Sequence, residues 1–495
     1  MKAIADRTLS PAGKNLPKVF DATTTVRNIR RLIWLYFLLL IFEGAFRKWI
    51  VPQFSAPLLL VRDPVVVAIY VLALRARLFP QNIFVVSLEI IALFCWATGI
   101  IVLLPLYSFR TALLVTGFGI RSDFLHLPLI FIIPAVLDFE DVKWVGRWTI
   151  IGMIPTALLM IVQFAATPES FVNRAAGLGE GLQIQAGGGK VRPPGLFSFV
   201  SGTIYYSSAV AAFLLHATIA RLPYRTWLLG ASGAALIVGL GVSGSRSAVL
   251  AVGVVVASVG AILLVRPSLV SKSLRHLFLA VVVMWAVSYL PIFQEGLGIL
   301  SDRFTESAES AETTVFGNLT SRVLGGYAEP LRLLTTVPLG GFGLGVGTNG
   351  GAVFLTGEAD FLLSENEWSR ILLESGPILG LAFLVWRCAL VYKIGRFAIG
   401  QVRLGNTLPL FLFGASVFIL LQGPFGQPTS LGFAVVLAGL CLAAKPVEEM
   451  PAPEPAETAG DTTPPARVRG RSKYAERLHG STNRSSSAPH GSADR

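Results

Sequence analysis

The sequence predicts an all-α polytopic membrane protein with about twelve transmembrane helices and one large external loop. Three observations carry this reading. The 495-residue chain is 53% hydrophobic and only 14% charged, with a mean hydropathy of +0.65, too apolar for a water-soluble protein of that length. Its apolar runs of about 17–25 residues suit helices that cross a hydrocarbon core roughly 30 Å thick. Nor do they alternate apolar and polar residues over about ten positions, as strands of an outer-membrane barrel do.

Residues 1–31 carry seven Lys/Arg against two Asp, which places them in the cytoplasm. They contain no apolar core, so Leu32 onward is expected to act as the first anchor and not as a cleaved leader. Spans are expected at 32–46, 56–74, 83–104, 124–138, 145–165, 199–220, 226–242, 247–265, 276–293, 368–386, 407–422 and 429–444. Residues 32–444 thus form the transmembrane domain, and an even number of spans returns the C-terminus to the cytoplasm. The stretch 105–123 reads as a re-entrant or interfacial piece, which makes 124–138 the weakest span. No internal repeat or inverted pair of broken helices of the transporter kind is visible.

Charge supports this drawing. Arg75, Arg77, Lys143, Arg147, Arg221, Arg225, Arg266, Lys272, Arg275, Arg387, Lys393, Arg396 and Arg403 fall on the inner side, as the positive-inside rule requires. Arg47 and Lys48 fall on the wrong side, and Arg110 complicates the third connection. The basic balance, with a formal net charge of +12, therefore reads as topology and not as nucleic-acid binding. Beyond Ala444, residues 445–495 are rich in Pro, Glu, Ser, Thr and Arg and too poor in apolar groups to order themselves. They read as a disordered, solubilising cytoplasmic tail.

Two loops fall outside: the Gly/Pro-rich 166–198 and the large 294–367. The second holds ten Asp/Glu against three Arg. It closes on Ser364-Glu365-Asn366-Glu367-Trp368, which runs into an apolar helix pattern carrying Glu374, Gly376 and Gly380. Cys95, Cys388 and Cys441 lie far apart in apolar segments and read as small buried hydrophobes. No histidine cluster or Cys-x-x-Cys offers metal-ligand spacing, so neither metal nor cofactor is expected. The glycines of Pro338-Leu-Gly-Gly-Phe-Gly-Leu-Gly-Val-Gly imitate a nucleotide fingerprint but follow no strand. Close backbone packing explains them better.

Charges at membrane depth are costly and mark partners or function. Glu43 and Arg47, four apart on one helix face, are expected to pair, and Arg62-Asp63-Pro64 to open the second span. Glu89 has no local partner and is expected to face the bundle interior. Arg121, Asp123 and His126 form a small polar group at the outer end of a span. His126 is a candidate site residue, although a hydrogen-bonded core histidine is the commoner outcome. Arg192, Arg246 and Arg322 fall on the outer face. A guanidinium fork suits phosphate, and headgroup contact or snorkelling is the bland alternative.

Taken in order, Arg192-Pro-Pro-Gly-Leu-Phe, Gly244-Ser-Arg-Ser-Ala, Ser321-Arg322, Val337-Pro-Leu-Gly-Gly-Phe-Gly-Leu-Gly and Glu365-Asn-Glu-Trp…Leu373-Glu-Ser-Gly-Pro-Ile-Leu-Gly resemble the O-antigen ligase and O-antigen polymerase superfamily of bacterial inner-membrane proteins. The resemblance covers roughly residues 190–440. It implies a GT-C-like helical fold that transfers glycan from an undecaprenyl-pyrophosphate donor to a lipid or glycan acceptor on the periplasmic side, without a metal. By position, Arg192, Arg246 and Arg322 would hold the pyrophosphate. Family ligases carry a histidine before the Asn at the end of the large loop. Here Glu365 stands there, and the glycine pair Gly376 and Gly380 is one residue wider.

A carboxylate can serve as the base that deprotonates an acceptor hydroxyl, so Glu365 is the expected catalytic residue. Asn366, Glu374 and His126 are expected in support. Two other classes remain open. A lipid-linked sugar transporter needs polar groups along a path through the membrane, for which Glu89 is nearly the only candidate. A non-catalytic partner in polysaccharide assembly is what the missing histidine would favour.

Overall fold

The computed structural model describes residues 22–445, apart from 177–182, 188, 272–281, 283–287, 292, 300, 302–325 and 359–360. Helix α1 (Ala22–Ala45) passes through a π-turn (Phe46–Ile50) and a 3-10 turn (Pro52–Phe54) into α2 (Arg62–Arg75). A hairpin of α3 (Ile83–Leu103) and α4 (Phe109–Ile120) follows. A second π-turn (Arg121–Leu125) joins α4 to α5 (Leu129–Val136), bent by 40°. Then come α6 (Phe139–Ala165), a short antiparallel ribbon of β1 (Gln185–Gly187) and β2 (Lys190–Val191), α7 (Val200–Ile219), α8 (Thr226–Val242) and α9 (Arg246–Val265). Within the large loop stands α10 (Asn349–Thr356), and after it come α11 (Glu367–Arg403), α12 (Leu408–Gln422) and α13 (Pro428–Ala443).

Local sequence sets several of these starts. Asn82 caps α3, its Oδ1 accepting from the amides of Phe84 and Val85 at 3.0 and 3.1 Å. Asp138 and Asp141 form a reciprocal capping box at the head of α6, satisfying donors that a helix start leaves open. Ser245, Thr348 and Asn366 cap α9, α10 and α11 in the same way.

Six described helices are long and apolar enough to cross a membrane: Pro52–Arg75, Ile83–Leu103, Phe139–Ala165, Val200–Ile219, Arg246–Val265 and Glu367–Arg403. Counting the bent pair α4–α5 as one span gives seven. Helices α8, α12 and α13 are apolar but shorter, at 17, 15 and 16 residues. The chain is thus an all-helical, membrane-embedded protein. Residues 430–441 are buried without interruption, the pattern of a helix apolar on every side, so α13 is the central post. Most of the expected span 276–293 lies outside the described residues.

Contacts sort the connections to two ends. At one end Arg30 pairs with Asp141, His216 Nδ1 meets Thr407 Oγ1 at 2.8 Å, Arg266 donates to the Arg403 carbonyl at 3.1 Å and Asn406 to the Ala444 carbonyl at 2.7 Å. At the other, Lys48 donates to the Gly195 carbonyl at 2.6 Å, Trp49 to the Phe171 carbonyl at 3.1 Å, and Lys190 pairs with Glu295 at 3.2 Å. The second end carries both long loops.

Three expectations need correction. The tenth span is not 368–386. Glu367 and Arg387 lie 20 residues apart yet meet at 3.0 Å, whereas a straight helix would separate them by about 30 Å. Helix α11 is therefore a hairpin, with 367–375 folded back along 377–403. Gly376 makes the corner at φ 76°, ψ 173°, and a Cβ there would collide with the Leu339 carbonyl. Pro377 has no N–H for the Leu373 carbonyl. The amide of Phe342 takes its place at 2.7 Å, and that of Gly343 serves the Glu374 carbonyl at 3.1 Å. The glycine-rich stretch 338–347 is thus a backbone clasp on the broken helix.

Glu89 does not face the bundle interior; it is exposed on α3. Arg47 and Lys48 are no topological anomaly, because both are buried against the loop that precedes α7. Residues 109–120 are a regular helix packed beside α3, and its bend into α5 is that of a broken span or a re-entrant loop, in line with the expected re-entrant piece.

Candidate functional site

The site reads most directly from its two arginines. Strand β2 delivers Arg192, whose amide donates to the Ile184 carbonyl at 2.8 Å. Its side-chain stem runs beside the α8–α9 turn: a Cβ on Gly244 would stand 4.0 Å from Arg192 Cγ. Two residues later, Arg246 is the first residue of α9. The structure therefore brings Arg192 to the turn that carries Arg246, at the positive end of a helix whose free amides favour anions. Both side chains are half-buried. Arg322 lies outside the described residues.

Glu365 and Asn366 stand at the C-terminal end of α12. Trp368 donates its indole N–H to the Leu421 carbonyl at 2.8 Å and lies edge-on to Tyr327 at 4.7 Å. Asn366 Nδ2 donates to the Gly326 carbonyl at 3.1 Å, while its Oδ1 accepts from the amides of Trp368 and Ser369. Asn366 is thus the cap of α11 and the tie to the helical segment 326–333. Glu365 beside it is exposed.

Helices α9 and α12 run antiparallel, with a Cβ on Gly414 falling 3.3 Å from Val255 Cα. Nine residues back to Arg246 and eight on to Gln422 span about 14 and 12 Å at 1.5 Å per residue. Arg246, Gln422 and the Glu365–Asn366 corner are therefore level with one another around the end of α12. Arg192, Arg246 and Glu365 share one end of the bundle.

Beneath this ledge lies a buried ionic network. Arg370 binds Asp123 at 2.6 Å, Glu374 at 2.8 Å and Glu367 at 3.0 Å. Glu367 also binds Arg387 at 3.0 Å and accepts from the Phe425 amide at 3.2 Å. Arg387 donates to the carbonyls of Leu420, Ile419 and Gly423 and lies 3.9 Å from the Phe425 ring centroid. Glu374 accepts from the Gly347 amide at 2.8 Å. Glu374, named above as a supporting residue, thus fastens the α11 hairpin to the glycine clasp. Arg387 serves the same network instead of marking an inner loop.

The expected group of Arg121, Asp123 and His126 divides. Asp123 joins Arg370, while Arg121 and His126 both hold Asp63, at 2.8 and 2.9 Å. His126 Nδ1 also meets Tyr36 Oη at 2.9 Å, and the ring is buried. It is a fully partnered core histidine linking α1, α2 and the second π-turn. Glu43 pairs with Arg47 at 3.5 Å, as its spacing predicts, and more closely with Arg62, at 3.1 Å.

Sequence reasoning missed Arg370, Lys48 and Gln163. Arg370 was visible as a lone cation three residues into an apolar run, where a charge needs a named partner. The partners come from α4–α5 and from its own folded helix, which linear spacing could not connect. Lys48 is 0% exposed; burial pushes its amine down to about 7. No family model, curated protein or solved structure matches the chain, so the functional reading rests on this geometry and on the order of its motifs.

Proposed function

We propose that the protein is a metal-independent membrane glycosyltransferase, a polymerase or ligase of the O-antigen type. It moves oligosaccharide from an undecaprenyl-pyrophosphate donor to a lipid or glycan acceptor. In this reading the chain crosses the bacterial inner membrane twelve times in a GT-C-like arrangement. Its termini are cytoplasmic, and the loop-bearing end is periplasmic.

The observation that carries the reading is the approach of Arg192 to the turn that opens α9 at Arg246. Two guanidinium groups at a helix N-terminus present fixed positive charge where a pyrophosphate develops negative charge on departure. Glu365, exposed and level with Arg246, takes the proton from an acceptor hydroxyl. The acceptor oxygen then bonds to the anomeric carbon as the bond to the pyrophosphate oxygen breaks, with inversion. The electron pair leaves with the pyrophosphate, whose charge the arginines offset. The ionic network holds both arms of α11 while this occurs. Glu89, the residue that a transport path called for, is exposed on α3 and lines no interior route.

The test is substitution in the producing cell. Arg192→Ala, Arg246→Ala and Arg322→Ala, each at unchanged protein level, are expected to abolish the surface polysaccharide. Normal product from the Arg246 and Arg322 variants would overturn the assignment. Normal product from Glu365→Gln alone would remove the proposed base and leave the arginines standing.

A further inference from the structure

The corner Pro194–Gly195 is held from three helices. Lys48 Nζ donates to the Gly195 carbonyl at 2.6 Å, and Gln163 Nε2 to the same oxygen at 3.3 Å. Gln163 Oε1 accepts from the Gly195 amide at 2.8 Å, and Thr203 Oγ1 donates to the Pro194 carbonyl at 2.8 Å. Lys48, Gln163 and Thr203 are all buried, at 0%, 0% and 1% exposure. Gly195 sits at φ +58°, and a Cβ there would stand 3.2 Å from Thr156, so backbone and neighbours together favour glycine.

Burying an ammonium group, a carboxamide and a hydroxyl around one backbone corner is costly unless each is hydrogen-bonded. A loop that only had to connect α6 to α7 would not need such an arrangement. Pro193 joins the corner to Arg192, and Pro194 is the corner's first residue. Each fixes its own φ near −65° and restricts the residue before it. The segment 192–195 therefore transmits the position of its clamped end to Arg192 with little slack.

We infer that Lys48, Gln163 and Thr203 are positioning residues that lock the Pro194–Gly195 corner and thereby set the Arg192 guanidinium beside α9 for a pyrophosphate group. This rests on the reading of Arg192 as a pyrophosphate ligand. It assigns to the strap after α1, which lies outside the region of family resemblance, a part in donor binding. A displacement of about 1 Å at a charge-binding group costs up to about a hundredfold in rate, so loss of one clamp bond has a measurable effect without any contact to the ligand.

The test uses the full-length protein in detergent, with inorganic pyrophosphate as the probe and its Kd read by calorimetry, alongside thermal unfolding. Lys48→Met, Gln163→Met and Thr203→Val are each expected to weaken binding by about tenfold. Thr203→Ser, which restores the hydroxyl, returns Kd to within about twofold of the parent, a rescue that follows the hydrogen bond rather than packing. If Lys48→Met does not fold, the Thr203→Val and Thr203→Ser pair decides alone. Parental Kd in every folded clamp variant, with binding lost in Arg192→Ala, overturns the inference while sparing the arginine reading. Parental Kd in Arg192→Ala overturns that reading, and the inference with it.

Discussion

Two charged regions of this molecule lie close together and behave oppositely. In the network around Arg370, five buried side chains answer one another: Asp123, Glu367, Arg370, Glu374 and Arg387. On the ledge above, Arg192 and Arg246 are half-buried and Glu365 is exposed. The first arrangement spends its charge on architecture, closing a broken helix and its clasp. The second places residues of both signs where they are only partly buried or exposed. The density of charge alone does not mark a reactive site; burial separates these two regions.

The largest effect is expected at Arg370. Replacing it with Met leaves Asp123, Glu367 and Glu374 buried without their cation, and removing one partner of a buried pair costs about 3–5 kcal/mol. Equilibrium unfolding in detergent should show that loss together with loss of activity. Parental stability in Arg370→Met would mean the network is not structural. On the ledge the effects should separate. Arg246→Ala is expected to lower turnover by about 10²-fold while leaving stability within about 0.5 kcal/mol. A matching fall in stability would place Arg246 with the structural charges.

Lys48 sharpens the contrast through pH. Its folded value of about 7 lies below its ordinary value, so between pH 7 and about 10.5 the unfolded chain binds more protons, and stability rises with pH. The penalty for the buried charge is fully present below pH 7. From pH 7 to 9 the parent should gain up to about 2 kcal/mol over Lys48→Met, and a flat difference would refute this. The smallest effect is expected at Asn366, whose loss as a helix cap costs about 1 kcal/mol in Asn366→Ala. A far larger fall in activity than in stability there would move Asn366 from scaffold to chemistry.

Much of the fold was legible in the sequence because apolar run length is a direct physical requirement of a bilayer. The expected span 83–104 is helix α3 at 83–103, 226–242 is α8, and 407–422 is α12 at 408–422 within one residue. What was illegible depended on contacts between distant segments. A helix continuing through Gly376 and a hairpin turning there have the same local hydrophobicity. Only the meeting of Glu367 with Arg387, and of Phe342 with the carbonyl that Pro377 cannot serve, distinguishes them. Lys48 looked misplaced by charge counting because a buried lysine hydrogen-bonded to a carbonyl obeys packing, not the positive-inside rule. Of the expected site residues, Arg192 and Arg246 were singled out by motif order, and the structure brings the Arg192 stem to the turn that opens α9. That Asn366 is a cap and Glu374 a fastener appeared only once their amide partners were in view.

Glycosyl transfer from a lipid-linked donor is the reaction proposed for the ledge. Its most direct measurement is turnover of a defined undecaprenyl-pyrophosphate oligosaccharide by purified protein, without added metal, comparing the parent with Glu365→Gln and Arg246→Ala. The account predicts a glycosylated acceptor or a lengthened glycan from the parent, with about a 10²-fold or greater loss in both variants. Equal turnover in all three, or none from a parent shown to bind the donor, would contradict it.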